Sequence, residues 1–266
     1  MTAIALTIAG SDSGGGAGIQ ADLKTFSALG VYGASVITAI TAQNTLGVSA
    51  VEDVSTAMIA AQIDAVCSDL AVNAAKIGMV SRVSTIETIA ERVAYHGLRP
   101  VLDPVMVATS GDRLLKADAI DALKAKLLPL CQLVTPNLPE AALLTGMEMA
   151  ANEDEMTAQA HALVAAGAGA ALVKGGHGEG KDSVDIFFDG KKTLRLALPR
   201  IETPNNHGTG CTLSAAIAAG LARGLDLAMA VREAKEYVHQ ALISGTDLAI
   251  GKGSGPVHHF HRWWPA

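Results

Sequence analysis

Short apolar runs alternate with stretches of helical periodicity along almost the whole chain, and this alternation restricts the fold more than any other feature. The runs predict strands at 3–9, 33–40, 73–77, 101–102, 133–134 and 170–173. The periodic stretches predict helices at 19–29, 55–70, 83–95, 116–128, 139–144, 153–166, 212–221 and 227–243. Repeated strand–helix units form parallel sheets with helices on both faces. The expected fold class is therefore α/β, with a mostly parallel central sheet.

The pattern changes after residue 175. Residues 184–188 and 193–198 flank Asp189-Gly190, an arrangement typical of a β-hairpin with a short turn. This predicts an antiparallel hairpin near one edge of the sheet. No Pro- or Ser-rich linker interrupts the chain, so residues 1–266 are expected to form a single domain.

Composition excludes several classes of protein. Half of the residues are apolar and 17% are charged, which excludes a disordered chain and a coiled coil. The 48 Ala and 27 Gly, beside nine aromatic residues, let helices pack closely on a sheet. The net charge of −6 gives no sign of a nucleic-acid partner, and no apolar stretch predicts a membrane span. Three widely spaced cysteines and the absence of a signal-peptide pattern favour a cytoplasmic location.

Residues 10–18, GSDSGGGAG, lie between a predicted strand and a predicted helix. Glycines allow close backbone approach, and a helix start attracts an anion. The third glycine of the dinucleotide-binding fingerprint is replaced by Ile19, so that motif is excluded. A flexible tight turn is an equally good interpretation. Asp22, one turn into the helix, is by itself more typical of a solvated residue than of a ligand.

Residues 175–181, GGHGEGK, have the spacing of a phosphate-binding P-loop. Asp182 replaces the hydroxyl residue that would reach magnesium, and a strand follows where a P-loop needs a helix. The P-loop interpretation is therefore rejected. Lys174 ends the preceding predicted strand, and a lysine there can meet phosphate at the carboxyl edge of the sheet.

The sequence HGTGC at 207–211 is the strongest signal for phosphate chemistry. Gly208, Thr209 and Gly210 precede a small-residue helix, so unhindered N–H groups meet at the positive end of the helix dipole. That geometry stabilises developing negative charge on a phosphoryl group. Cys211 is expected at the helix N-terminus, where a lowered thiol pKa would let it act as a base at neutral pH. A structural buried cysteine is the alternative.

Asn137 and Glu140 follow another predicted strand and are three residues apart. They could hold a hydrated Mg²⁺ through oxygen. On spacing alone, a helix N-cap related to the capping box is the better interpretation. Asp103 lies at a similar strand end without a decisive signal, and the histidines of 258–261 are more typical of a packed C-terminal segment than of a metal site.

Seven stretches together carry a family resemblance. They are IAGSDSGGGAGIQAD at 8–22, SVITAITAQNT at 35–45, KIGM at 76–79, DPVM at 103–106, TPNLPE at 135–140, VKGGH at 173–177 and HGTGCTLS at 207–214. They resemble the ribokinase-like superfamily and, within it, the hydroxymethylpyrimidine/phosphomethylpyrimidine kinases of thiamine biosynthesis. The resemblance implies a three-layer α/β/α sandwich and a homodimer. It also implies an ATP- and Mg²⁺-dependent enzyme that phosphorylates 4-amino-5-hydroxymethyl-2-methylpyrimidine and then its monophosphate.

The resemblance also implies roles for residues that would bind the pyrimidine. Gln43 would form hydrogen bonds with the aminopyrimidine edge. Gly10, Asp22 and Met79 would line the pocket around the ring.

A second set of residues would carry the transfer. By the same resemblance, Cys211 would take the hydroxymethyl proton while the amides of 208–210 hold the transferring phosphoryl group. Lys174 would neutralise phosphate charge, and Asn137 and Glu140 would position Mg²⁺ directly or through water.

Three alternatives stay open at this stage. Pyridoxal kinases share the GTGC segment and phosphorylate a similar six-membered heterocycle. A cysteine hydrolase would need His207 to face Cys211 across the glycine turn, which the four-residue spacing disfavours. A non-catalytic nucleotide sensor is disfavoured by the presence of both Lys174 and Cys211.

Overall fold

A nine-stranded sheet organises the computed structural model, which describes residues 2–106, 117–176 and 180–264. The strand order is β3-β2-β1-β4-β5-β6-β7-β8-β9. Strands β2, β1, β4, β5, β6 and β7 run parallel, while β3, β8 and β9 are joined by antiparallel pairing. The strands are β1 (Ile4–Asp12), β2 (Tyr32–Asn44), β3 (Gly47–Asp53), β4 (Ala74–Ile77), β5 (Val101–Leu102), β6 (Leu133–Val134), β7 (Ala171–Lys174), β8 (Asp182–Phe188) and β9 (Thr193–Pro199).

Helices cover both faces of this sheet. They are α1 (Gly18–Ala28), α2 (Thr56–Asp69), α3 (Val83–Tyr95), α4 (Ala117–Ala122), α5 (Leu138–Thr145), α6 (Glu153–Ala165), α7 (Thr209–Ala222) and α8 (Leu227–Gly245). One buried cluster joins the sheet to α2–α6, and a second joins it to α1, α7 and α8. Successive residues of β1 face the two clusters in turn: Leu6 and Ile8 belong to the first cluster, and Ala5 belongs to the second. The expected three-layer α/β/α sandwich is confirmed.

The two edges of the sheet differ in how well the sequence predicted them. The hairpin of β8 and β9 is confirmed at one edge. At the other edge β2 continues to Asn44 and pairs with β3, a second antiparallel hairpin that the sequence analysis missed. The missed strand, Gly47–Asp53, is largely exposed, so it carries no apolar core pattern that would mark it as a strand.

The helix predicted at 116–128 is shorter and less regular than expected. Lys116 lies outside the described residues, and α4 covers Ala117–Ala122. The chain continues as a π turn, Leu123–Leu127, and a 3₁₀ turn, Leu128–Leu130. Burial of Leu123 and Leu127 drives this segment against the core, and the proline in the last turn removes a helical N–H.

Small residues allow α7 to pack tightly. Ten of its fourteen residues are buried, and most of them are Ala, Ser, Thr or Gly. A Cβ at Gly220 would lie 3.0 Å from the Cβ of Ala230 on α8, so the two helices approach closely. No helix in the described part of the chain has the length and apolar character needed to cross a membrane.

Candidate active site

The N-terminus of α7 meets the ends of β5 and β7. The Lys174 ammonium donates to Oδ1 of Asp103 at 2.9 Å. A Cβ at Gly210 would lie 3.4 Å from the Lys174 nitrogen and 3.5 Å from Oδ2 of Asp103. Ser214, one turn along α7, donates to the same Oδ2 at 3.4 Å. The predicted phosphate-binding segment and the predicted lysine are therefore adjacent, joined by an aspartate whose importance the sequence analysis did not recognise.

Gly208 is the N-cap of α7, and its position requires glycine. Its φ is 78°, in the left-handed region, and a Cβ there would collide with the carbonyl oxygen of Gly16. No side chain caps the helix at this residue. The Thr209 N–H donates to the Asn206 carbonyl at 3.3 Å, and the absence of a side-chain cap leaves the helix start open to an anion, as expected of a phosphate-binding helix.

Asp12 holds the two glycine-rich loops together. Its carboxylate accepts hydrogen bonds from the backbone N–H groups of Gly14, Gly16 and Ala17, and from Nε2 of His207 at 3.0 Å. Burial opposes ionisation, but these hydrogen bonds, led by that of His207, lower the pKa of Asp12. The sequence analysis missed this role. The available signal was an aspartate at the start of a glycine loop, which commonly bonds backbone N–H groups just ahead of it.

Gln43 lies beside this junction. Its side-chain nitrogen is 3.3 Å from Nε2 of His207, and its side-chain oxygen accepts from Thr41 at 3.2 Å. Nearby, a Cβ at Gly10 would lie 2.7 Å from the terminal methyl of Met79, so the thioether side chain covers that glycine. Gln43 and Met79 are partly exposed.

Asp22 is fully buried, so its interpretation as a solvated helix residue is wrong. It accepts hydrogen bonds from Thr7 at 2.6 Å and from Lys76 at 2.8 and 3.0 Å. With no exposed surface, the carboxylate lies behind the site rather than on its wall. The sequence predicts no role for Lys76, because a lysine in a strand gives no sign of its burial.

Cys211 lies in the first turn of α7 and is partly exposed. Desolvation raises the pKa of its thiol to about 11, although the charge of Lys76 and the N–H of Gly18 favour the thiolate. The charges of Asp22 and Asp103 add to the rise. The expected lowering of the thiol pKa is therefore wrong, since loss of hydration outweighs the helix N-terminus and the lysine.

Asn137 and Glu140 form a complete capping box at the start of α5. Oδ1 of Asn137 accepts from the Glu140 N–H at 2.9 Å, and Oε2 of Glu140 accepts from the Asn137 N–H at 2.9 Å. The capping interpretation is confirmed. Burial raises the pKa of Glu140 to about 7, with Lys174 opposing this shift and Asp103 adding to it.

The same region has a charge balance that suits a divalent cation. Asp103 and Glu140 share the single ammonium of Lys174, so one carboxylate charge is uncompensated when both are ionised. Among the described residues, no three His, Cys, Asp or Glu side chains form a metal-binding group. Mg²⁺ commonly retains waters and takes one or two carboxylates together with phosphate oxygens. The donor set fits that arrangement and not an all-protein cage.

The remaining motifs behave as packing elements. His258 and His259 are buried, and Nε2 of His259 is 3.1 Å from the Thr212 hydroxyl, so the C-terminal segment is docked on α7. Strand β8 begins at Asp182, which confirms rejection of the P-loop, while residues 177–179 lie outside the described ranges. The contacts of His207 Nε2 with Asp12 and Gln43 give no support to a cysteine hydrolase.

Comparison with known proteins agrees with this geometry. Residues 12–258 match the family described as phosphomethylpyrimidine kinase. A hydroxymethylpyrimidine/phosphomethylpyrimidine kinase from Rhizobium meliloti is 66% identical, with 99% of each chain covered. The crystal structure of a phosphomethylpyrimidine kinase from Clostridium difficile 630 superposes with a TM-score of 0.81 at 45% identity, covering 90% of this chain and 99% of that one. The crystal structure of an ADP complex of Bacillus subtilis pyridoxal kinase superposes with a TM-score of 0.91 at 37% identity. The match covers 99% of this chain and 100% of that one.

The family match and the full-length relatives extend across the sheet and both glycine-rich loops. They therefore include the segments that bring Lys174, Asp103 and the α7 N-terminus together. This chain belongs to the phosphomethylpyrimidine kinase family, within the ribokinase-like fold.

Proposed function

We propose that this chain transfers the γ-phosphoryl group of ATP to the hydroxymethyl oxygen of 4-amino-5-hydroxymethyl-2-methylpyrimidine, and then to the phosphate of the product. In each step an O–P bond forms to the acceptor oxygen, and the bond between the γ-phosphorus and its bridging oxygen breaks to release ADP. The observation that carries the proposal is the meeting of the uncapped α7 N-terminus with Lys174 beside Cys211. The family resemblance places both steps in thiamine biosynthesis.

The transferring phosphoryl group would lie against the amides of Gly208, Thr209 and Gly210. Phosphoryl transfer needs mainly alignment and charge stabilisation, which N–H groups at a helix start provide. Lys174 adds a positive charge, and its hydrogen bond to Asp103 fixes the ammonium beside the same turn. Asp103 is thus a positioning residue for Lys174.

Cys211 is proposed as the base of the first step only. Its thiol is protonated at neutral pH because of its raised pKa, so the active form is the small thiolate fraction. That thiolate accepts the hydroxymethyl proton as the oxygen attacks phosphorus. In the second step the acceptor is a phosphate, which is already ionised near neutral pH and needs no strong base.

Mg²⁺ is proposed to bind with the nucleotide near Glu140 and Asn137. When bound, it neutralises phosphate charge. Glu140 accepts from the backbone N–H of Asn137 at 2.9 Å and from that of Met106 at 3.4 Å, which fixes its carboxylate near Asp103 and Lys174. Asn137 uses its side-chain oxygen to cap α5, so its contribution to the metal is best made through water.

The pyrimidine is proposed to lie between the first glycine loop and Met79. Gln43 would read the aminopyrimidine edge, and Met79, whose thioether covers Gly10, would contact the ring. Asp22 would act from behind the pocket through Lys76, since its carboxylate has no exposed surface.

A single kinase domain, a cytoplasmic location and a homodimer complete the proposal, with no nucleic-acid or membrane partner. The net charge of −6 supports the absence of nucleic acid. Exposed apolar side chains on the β2–β3 hairpin support association of two copies; they are Ile40, Leu46 and Val51.

Pyridoxal kinase activity is the second candidate, favoured by the superposition on the Bacillus subtilis enzyme. ATP turnover should be measured separately with the hydroxymethylpyrimidine, its monophosphate and pyridoxal. We expect both pyrimidines to be phosphorylated, and pyridoxal at a lower kcat/KM. Turnover of pyridoxal alone would replace the proposal with the alternative.

Replacing Cys211 with Ala should separate the two steps. We expect kcat of the first phosphorylation to fall about 100-fold or more, the usual contribution of a general base, and that of the second less than about tenfold. Steady-state assays of each step would measure this. Cys67→Ala, which changes a partly exposed cysteine on α2, is the matched control and should leave both rates unchanged. Equal losses in the two steps would contradict the assigned role.

Replacing Gln43 with Leu should weaken pyrimidine binding. The change removes a hydrogen-bond partner from the ring edge and leaves polar atoms of the substrate unpaired, at a cost of about 1–3 kcal/mol. Calorimetry should show affinity for the pyrimidine reduced about tenfold or more, while affinity for ADP stays within about twofold. An unchanged pyrimidine affinity would exclude Gln43 from recognition.

Replacing Glu140 with Gln should change how stability depends on pH. Burial raises the pKa of Glu140 from 4.5 to about 7, so the folded state binds more protons than the unfolded state between these values. Its contribution to the free energy of unfolding therefore falls as pH rises from 4.5 to 7. Gln keeps the capping oxygen but does not titrate.

Urea denaturation of both proteins between pH 4.5 and 7.5 would measure this effect. The free energy of unfolding of the wild type, relative to Glu140→Gln, should decrease steadily through the window. Glu155→Gln, at the corresponding capping position of α6, is the control; its side chain is exposed and should give no such trend. Parallel curves for the wild type and Glu140→Gln would contradict the prediction.

A further inference from the structure

The ion pair of Lys76 and Asp22 has no exposed side-chain surface. The Lys76 ammonium lies 2.8 and 3.0 Å from the two carboxylate oxygens, and Thr7 donates to one of them at 2.6 Å. Removing two charges from water is unfavourable, and an apolar pair of similar volume commonly stabilises a fold as well or better. Stability alone therefore does not account for this buried ion pair.

Strand alternation directs Lys76 toward the helix layer that contains α7. Its neighbours Ala75 and Ile77 enter the cluster of α2–α6, so the Lys76 side chain faces α1 and α7. A Cβ at Gly78 would lie 2.6 Å from the Lys76 nitrogen. Asp22, which binds the ammonium, lies one turn after Gly18 on α1, and the N–H of Gly18 bonds the Cys211 sulfur. The ammonium is therefore held at the carboxyl end of β4, behind the helix starts that carry Gly18 and Cys211.

Cys211 is the reactive side chain of the proposed mechanism on which this charge acts. The groups that act on its thiol are Lys76 from β4, Asp22 from α1, Asp103 after β5 and the N–H of Gly18 at the start of α1. Lys76 has the strongest effect in favour of the thiolate. Burial opposes its own charge, but Asp22, Cys211 and Asp103 raise the pKa of Lys76, so it stays protonated.

We propose that Lys76 is a positioning residue whose ammonium, fixed by Asp22 behind α7, stabilises the Cys211 thiolate that accepts the hydroxymethyl proton. The proposal rests on the function proposed above for Cys211. The thiol first releases its proton to solvent. The thiolate then takes the proton of the substrate O–H as the oxygen forms its bond to the γ-phosphorus, and ADP leaves. Asp22 keeps Lys76 charged and in place without touching the substrate.

Alkylation of Cys211 by iodoacetamide tests, without any substrate, whether Lys76 stabilises the thiolate. Mass spectrometry of the Cys211 peptide gives the rate between pH 7 and 10. The wild-type rate should rise about tenfold per pH unit, because the thiolate is the reactive form. The double variant Lys76→Met with Asp22→Asn leaves no stranded charge. Cys211 in this double variant should be alkylated at least about threefold more slowly than in the wild type at each pH, which corresponds to a rise of about half a unit in the thiol pKa.

Lys76→Gln is the second variant, since it keeps a hydrogen-bond donor toward Asp22. Its alkylation should be at least as slow as that of the double variant, because the negative charge of Asp22 can persist. The matched control replaces the buried pair of Lys235 and Asp185 by Met and Asn. That change should leave the alkylation profile of Cys211 unaltered.

The enzymatic readout separates this inference from the proposed function. In both Lys76 variants, kcat of the first phosphorylation should fall more than kcat of the second, with KM for the pyrimidine changed less than about threefold. An unaltered alkylation profile in a folded Lys76 variant would overturn the inference even if both pyrimidines are phosphorylated. If alkylation is slower in the Lys76 variants but the wild type does not phosphorylate either pyrimidine, the effect of Lys76 on the Cys211 thiolate is supported and the proposed substrate is overturned.

Discussion

The close packing of α7 on the sheet is the constraint on which the site depends. A helix whose buried residues are mostly Ala, Ser and Thr can approach both the strands and α8, as the 3.0 Å clearance at Gly220 shows. This approach brings the first turn of α7 to the ends of β5 and β7, where Lys174 and Asp103 lie. The abundance of small residues in the composition is thus a condition of the chemistry as well as of the fold.

Two shifted pKa values have the same physical origin in this arrangement. The carboxylates of Asp22, Asp103 and Glu140 are buried close to two ammonium groups, those of Lys76 and Lys174. Burial and surplus negative charge keep a proton on the Cys211 thiol and raise the pKa of Glu140 to about 7. A site of this kind favours added positive charge, which a divalent cation such as the proposed Mg²⁺ would supply.

The sequence predicted those features whose signals are local. Buried strands, the helices and the HGTGC turn carry apolar periodicity or glycine punctuation, so their positions follow from neighbouring residues. The β3 strand is exposed and carries no such pattern. The roles of Asp12, Asp103 and Lys76 depend on partners far along the chain. The predicted lowering of the Cys211 pKa is wrong for a related reason. A helix N-terminus can be recognised in the sequence, whereas the desolvation of the thiol depends on residues far along the chain.

The scarcity of aromatic side chains determines how a flat pyrimidine can be recognised. None of the nine aromatic residues lies in the segments 10–18, 43–45, 76–79 or 207–211 that surround the site. In the proposed mode of binding the ring would meet the glycine loop and the Met79 thioether, which fit many flat molecules without discriminating among them. Discrimination must come from the ring edge. The Gln43 amide nitrogen lies 3.3 Å from Nε2 of His207, and His207 is bonded to Asp12, so the group proposed to read the ring lies at the junction that joins the two glycine loops. On the proposed assignments, the group that would read the pyrimidine and the loop that would hold the phosphoryl group therefore meet at the hydrogen bond between Asp12 and His207.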